Sequence, residues 1–431
     1  MRGMEPRITD SANCSPECHA ESTLSVTEPS PTALLAGLLI AMGFVFLIRL
    51  PVARAVPMES DELGFLKQLS DHWFPMHHTL FMTAGRLLGT VAGDPYRSIV
   101  LLDMITSAFA LWSMWWFLRA LVPPATAAAG ALLLSVAPVF WGYGSIAANY
   151  TAIVAVGAAL LGIAVRTRRA PAPWHPFAAA ALLALGSGYR QDIGSFWMPV
   201  FLVILWDHRW RRAIFTVLLF GALCLAWLLL MLNDVGGWAA YRAQSSQFAY
   251  HAGYLNSAWF LGLIDAPLRY AVKLAMALVW TLGPALVFVP RGALRLGRSH
   301  HGRFLLVLFA LTVLPALASH LLVHFGSPGY VFHYVPALLA FAVLGIGESR
   351  RKEQTAPRRL VAVSALMAGL FLFYPTDYDQ TGWRRDFDVA FARHTRVGLQ
   401  TPLGARQPRA WRTANSGALA EREPRPEKAI E

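Results

Sequence analysis

The chain has 431 residues, 56% of them hydrophobic and only 14% charged, whereas soluble domains carry about 25% charged residues. That balance excludes an ordinary soluble enzyme and points to a polytopic membrane protein. A formal net charge of +12 does not imply nucleic acid, because the basic residues form short clusters between apolar runs rather than a basic, aromatic-interleaved surface.

Residues 1–31 are polar and lack a basic segment running directly into a short apolar core and cleavage site, so they read as a disordered tail. Cys14, Cys18 and His19 are too few for a closed zinc site, which needs four ligands, and Cys224 lies inside an apolar run. The first span is Thr32–Leu50, bounded by Pro31 and Pro51. The stretch 51–97 is too polar to cross a bilayer and reads as a first external loop. It carries Glu59, Asp61 and Glu62, then His77-His78-Thr79-Leu80. Its amphipathic pieces, near Leu63–Leu69 and His77–Val91, suit the membrane interface.

Further apolar runs follow at Ser98–Val122, Ala125–Tyr143 and Ile146–Val165. Two short runs, Pro176–Gly188 and Ile193–Trp206, flank Tyr189-Arg190-Gln191-Asp192. They are short for spans of about 20 residues, so they read as a tilted pair or a re-entrant hairpin. The later spans are Ala213–Leu232, Pro267–Val289, Phe304–Phe325, Tyr330–Gly347 and Leu360–Tyr374. The expected fold is therefore all-α and polytopic, with about eleven transmembrane helices by that length rule. The transmembrane domain covers 32–374, and a polar tail, 375–431, follows it.

Alternating sides from a cytoplasmic N-terminus puts every basic loop inside: Arg166–Arg169, Arg209–Arg212, Arg291–Arg303 and Arg350–Arg359. The acidic loop, the Arg190 turn, the segment Asn233–Ser257 and the C-terminal tail fall outside. Asp61, His77, Tyr150, Arg190, His251 and His333 then collect on one, extracytoplasmic, face. Ionisable groups kept at a membrane boundary usually face a cavity or a substrate. No internal repeat is visible, which counts against a transporter or flippase for a lipid-linked or small substrate.

The order of these features resembles the GT-C glycosyltransferases, in particular the protein O-mannosyltransferase and lipid-linked-sugar branch. Asp61-Glu62 looks like the acid pair of that family's first external loop, and His77-His78-Thr79-Leu80 its His-Pro-Pro-Leu element. Pro138-Val139-Phe140-Trp141-Gly142-Tyr143 with Tyr150, and Pro328-Gly329-Tyr330 with Pro336, are similar to two further recurring patterns. The resemblance implies a GT-C-like core, a polyprenyl-phosphate sugar donor, membrane lipid as surroundings, and an acceptor protein or glycan that the sequence does not name. Two positions depart from the pattern. His78-Thr79 replaces Pro-Pro, and Ala147, Ala148 and Asn149 stand where charged residues precede the tyrosine. The second departure motivates another reading, a catalytically degenerate envelope scaffold.

Transfer from a lipid phosphate needs a base for the acceptor hydroxyl and positive charge on the departing phosphate. Asp61 is the candidate base, with Glu62 and Glu59 as alternatives; a helix N-cap before Leu63–Leu69 is the competing role for Asp61. Arg190 is the candidate phosphate ligand, against an ion pair with Asp192 or an interfacial snorkel. His77 and His78 would hydrogen-bond the phosphate or hold the acid. Tyr143, Tyr150, Tyr330 and His333 would line the sugar or lipid site, against an interfacial aromatic belt. No metal site is assigned; a divalent cation on Asp61, Glu62 and His77 is compatible with the ligand types, but their spacing is not diagnostic.

Overall fold

The computed structural model describes residues 29–50, 65, 78–248, 266–298, 300–347 and 355–373. Glu59, Asp61, Glu62, His77, His251, Cys14, Cys18, the tail up to residue 28 and the whole of 375–431 lie outside the described residues.

Helix α1, Pro31–Arg49, starts where proline occupies its first turn and Ser30 Oγ accepts the Ala33 amide at 3.2 Å. At about 1.5 Å per residue it is just long enough to cross the hydrocarbon. Leu35, Leu39, Ile40 and Leu47 on it are exposed, as expected of an apolar helix that faces lipid rather than water. Helix α2, Thr79–Ala92, is the amphipathic element foreseen at His77–Val91, and Gly93 closes it in the left-handed conformation at φ 69°. Asp94 then caps α3, Pro95–Arg119, by accepting the Tyr96 and Arg97 amides at 2.9 and 3.2 Å.

The apolar run Ala125–Tyr143 is not one helix. It divides into α4, Pro124–Ser135, and α5, Pro138–Tyr143. The break follows from Pro138, which forces the preceding Ala137 into an extended conformation at ψ 123°. Helix α6, Thr151–Arg169, is the central post of the bundle, with almost every residue buried. At its far end Arg166 Nη2 donates to the Trp116 carbonyl at 2.9 Å, and its guanidinium lies 3.8 Å from that indole. Arg169 donates to the Ala120 carbonyl. These arginines tie the C-terminal ends of α3 and α6 together while satisfying carbonyls that a helix end leaves open.

The two short runs are real helices, α7, His175–Tyr189, and α8, Gln191–Trp206. A single extended residue, Arg190, at φ −155° and ψ 113°, joins them. Gly188, just ahead of this reversal, lets neighbouring helices approach closely, since a Cβ there would run into Leu80 and Trp227. Next come α9, Trp210–Val235, and α10, Trp238–Phe248. Helix α11, Ala266–Leu282, passes through a 3-10 segment, Gly283–Phe288, into α12, Val289–Gly297. The bundle ends with α13, His300–Leu322, a 3-10 turn at Pro328–His333, α14, Val335–Ile346, and α15, Ala356–Phe373.

Among the described residues every element is helical, and six helical stretches are long and apolar enough to span a membrane. Three shorter apolar helices, Pro124–Ser135, Gln191–Trp206 and Val335–Ile346, join them. The protein is a multi-pass integral membrane protein. The antiparallel path brings the end of α1, the start of α6, the α7–α8 turn and the Pro328–His333 turn to one end of the bundle.

Candidate functional site

The site forms where the chain between α5 and α6 meets the α7–α8 turn. Asp103, one carboxylate inside the apolar α3, is fully buried. Its Oδ2 accepts the backbone amides of Ala148 and Asn149 at 2.6 and 3.0 Å. Asn149 takes a positive φ of 48°, a conformation that asparagine tolerates better than other side chains. This clamp sets the residues just ahead of α6, and Thr106 Oγ1 lies 2.9 Å from Thr151 Oγ1 beside it.

Arg190 enters the same place from the helical reversal. Its Nη1 donates to Asn149 Oδ1 at 2.7 Å and its Nε to Asp192 at 2.9 Å. The guanidinium lies 3.8 Å from the Tyr150 ring and 5.4 Å from that of Tyr330. Only 6% of Arg190 is exposed. Burial works against its charge, but Asp192 and the tyrosines outweigh that, so its pKa stands above the ordinary arginine value. His333 Nε2 is 3.4 Å from Asp192. Burial holds the His333 pKa below the ordinary value, although Asp192 pulls the other way.

Tyrosines close the cluster. The rings of Tyr143 and Tyr150 are 4.7 Å apart, and those of Tyr150 and Tyr330 are 5.6 Å apart in an edge-on arrangement. Tyr143 shares a hydrogen bond with Ser327. Gly329 is required here, because a Cβ would enter the Tyr150 ring. His320 Nδ1 and Tyr334 Oη pair at 2.7 Å, the satisfied hydrogen bond that a histidine on an apolar helix face usually makes. The structure thus brings Arg190, Tyr143, Tyr150, Tyr330 and His333 together. His78 lies further along, edge-on to Phe65 at 5.2 Å, and the chain of rings continues from Phe65 to Phe81 to Tyr189. Asn149 is wholly buried.

Two charged residues enter that sequence reasoning passed over. Asp103 carried one signal, a lone acid inside an apolar run. Arg49 is the other. It closes α1, is fully buried, and lies 4.8 Å from the Phe140 ring and 5.7 Å from that of Trp141. Among the described residues no group of three or more His, Cys, Asp or Glu is placed to hold a metal; Asp61, Glu62 and His77 lie outside them.

Among the described residues the molecule is an all-helical membrane bundle in which Arg190, Asp192, His333 and three tyrosines meet at one end. Its architecture matches ArnT from Cupriavidus metallidurans in the apo state, with a TM-score of 0.54 at 13% identity over 84% of this chain and 70% of that one. ArnT from the same organism bound to undecaprenyl phosphate aligns over the same shares with a TM-score of 0.50 at 14% identity. This is the fold expected from the GT-C resemblance. No family model and no curated protein matches the chain.

Proposed function

We propose that the protein is an integral-membrane glycosyltransferase that moves a sugar from a polyprenyl-phosphate-linked donor to an acceptor on the extracytoplasmic side. The observation that carries this reading is the Arg190 cluster. An arginine, a carboxylate, an imidazole and three tyrosines converge at one end of a fold shared with a protein crystallised with undecaprenyl phosphate.

In this reading Asp61, on the 51–97 loop, takes the proton from the acceptor hydroxyl as its oxygen attacks the anomeric carbon. The bond between that carbon and the phosphate oxygen breaks, and its electron pair stays on the departing phosphate. A single displacement of this kind inverts the anomeric centre. Glu62 and Glu59 are the reserve bases, and His77 and His78 orient the acid or the phosphate. Arg190 contributes positive charge near the departing phosphate, held in place by Asn149 and Asp192 so that little reorganisation is needed. Tyr143, Tyr150, Tyr330 and His333 form the wall against which a sugar ring packs.

The test is turnover of radiolabelled polyprenyl-phosphate sugar by purified protein in nanodiscs. Label leaving the lipid in an acceptor-dependent way supports the transferase. Label crossing the bilayer with the sugar–phosphate bond intact identifies a flippase instead.

A further inference from the structure

Arg190 has already spent much of its charge. Its Nε faces Asp192 and its Nη1 is bonded to Asn149. Arg49 is in the opposite condition. Its Nε, Nη1 and Nη2 are all buried without a hydrogen-bond partner among the described residues. The Oγ of Ser107, on the facing side of α3, is likewise buried and unpartnered. Both border the same spot, because a Cβ added to Gly144 would collide with the Arg49 guanidinium and with Ser107 Oγ. Asp103 is the carboxylate that acts on Arg49 through space, but no hydrogen bond joins the two. The Phe140 and Trp141 faces offset only part of the cost of a desolvated guanidinium. A buried cation without a bonded counter-ion is strongly unfavourable unless an anion completes it.

We infer that Arg49, with Ser107, receives the phosphate of a polyprenyl-phosphate ligand and is the site's second, uncommitted cation. Phosphate chemistry suits the fork of donors that an arginine presents. The lipid source is favoured by position. Arg49 is the last residue of α1, at the end of a helix just long enough to cross the hydrocarbon, and Leu39, Ile40 and Leu47 of the same helix are exposed for a prenyl chain to follow. Arg49 lies against Gly144, the residue after Tyr143, and the Tyr143 ring meets that of Tyr150, which faces Arg190, so the tyrosine pair runs from beside one cation to the other. The inference rests on the proposed function for the identity of the lipid, but not for the presence of an anion.

The test uses the full chain in nanodiscs with three probes: undecaprenyl phosphate, undecaprenol and inorganic phosphate. Arg49→Gln should bind undecaprenyl phosphate about ten- to a hundred-fold more weakly, the loss of one charge-assisted contact, with undecaprenol unaffected. Arg49→Lys should recover part of that loss. The ligand-free Arg49→Gln protein should melt at or above the wild-type temperature, because an uncompensated charge has been removed. Wild-type affinity for undecaprenyl phosphate in Arg49→Gln overturns the inference and leaves the proposed function standing. A ligand-free variant that melts well below wild type also overturns it, since Arg49 would then be one half of a structural ion pair. If wild type ignores undecaprenyl phosphate yet gains thermal stability from inorganic phosphate through Arg49, the lipid-linked reading falls and a free-phosphate site replaces the inference.

Discussion

Arg190 Nη1 and Asn149 Oδ1 meet at 2.7 Å across the junction of two helix pairs. The asparagine that replaces an expected charge before Tyr150 is therefore the residue that aims the arginine. The same guanidinium holds Asp192, so Arg190→Ala leaves a partly buried carboxylate with only the His333 imidazole beside it. Alone, that substitution mixes lost binding with lost stability.

The double variant Arg190→Ala/Asp192→Ala separates them. It should regain much of the melting temperature lost by Arg190→Ala, because the stranded carboxylate is gone. Binding of undecaprenyl phosphate should stay weaker by about 1.5–3 kcal/mol, the size of one charge-assisted contact. Ligand titration of both variants in nanodiscs provides the check. Equal affinity in wild type and the double variant would leave Arg190 with a structural role only.

Asp103 clamps the residues ahead of α6. Asp103→Ala removes the acceptor for the Ala148 and Asn149 amides, each a charge-assisted bond of about 1.5–3 kcal/mol. Thermal stability should fall sharply, and the Arg190–Asn149 bond should loosen with it. Asp103→Asn keeps an acceptor oxygen and should lose about half as much. Melting curves in one detergent compare the three proteins, and a silent Asp103→Ala would mean that the clamp is unimportant.

The spans were largely legible because twenty apolar residues in a row have few other fates, and the break at Arg190 carried a local signal; the break at Pro138 was read through as one run, although proline restricts the residue before it. The charge network was not. Asp103 and Ala148 are 45 positions apart, and nothing in either segment announces the other. Arg49 drew no reading of its own within the span Thr32–Leu50, since a sequence gives no hint that an arginine near a helix end turns inward. Asn149 read as a lost charge because side-chain amides have no signature apart from their partners.

Orientation rests on the basic loops. Tags placed at Arg168, Arg211 and Arg298 should be cytoplasmic, and one at Gly382 extracytoplasmic. Cysteine labelling that puts Gly382 on the same side as Arg298 would break the alternation, most directly at the α7–α8 reversal.

His333 supplies a pH dependence. Its folded pKa lies below the ordinary value because burial disfavours the charged ring. A base with a depressed folded pKa contributes stability above its unfolded pKa of about 6.5 and loses it as pH falls through the folded value. The melting temperature should therefore drop on the acidic side of pH 6.5, and His333→Gln should flatten that limb. An identical acid limb in the variant would assign it to another group.

Substitution of Asp61 tests the proposed base. Asp61→Asn keeps shape and hydrogen bonding but cannot accept a proton, so a base at this position predicts a loss of turnover of about 10²–10⁴-fold with donor binding intact. Glu62→Gln should do much less, because one carboxylate at a time can be aimed at the acceptor hydroxyl. Asparagine caps a helix about as well as aspartate, so a capping role predicts that Asp61→Asn is nearly silent in both turnover and stability. The pH profile of wild-type turnover should show an acidic limb from the same carboxylate, absent from whatever activity Asp61→Asn retains. Near-normal turnover in Asp61→Asn, with the limb unchanged, would move the base to Glu59 or Glu62, and the corresponding glutamine variants would then identify it.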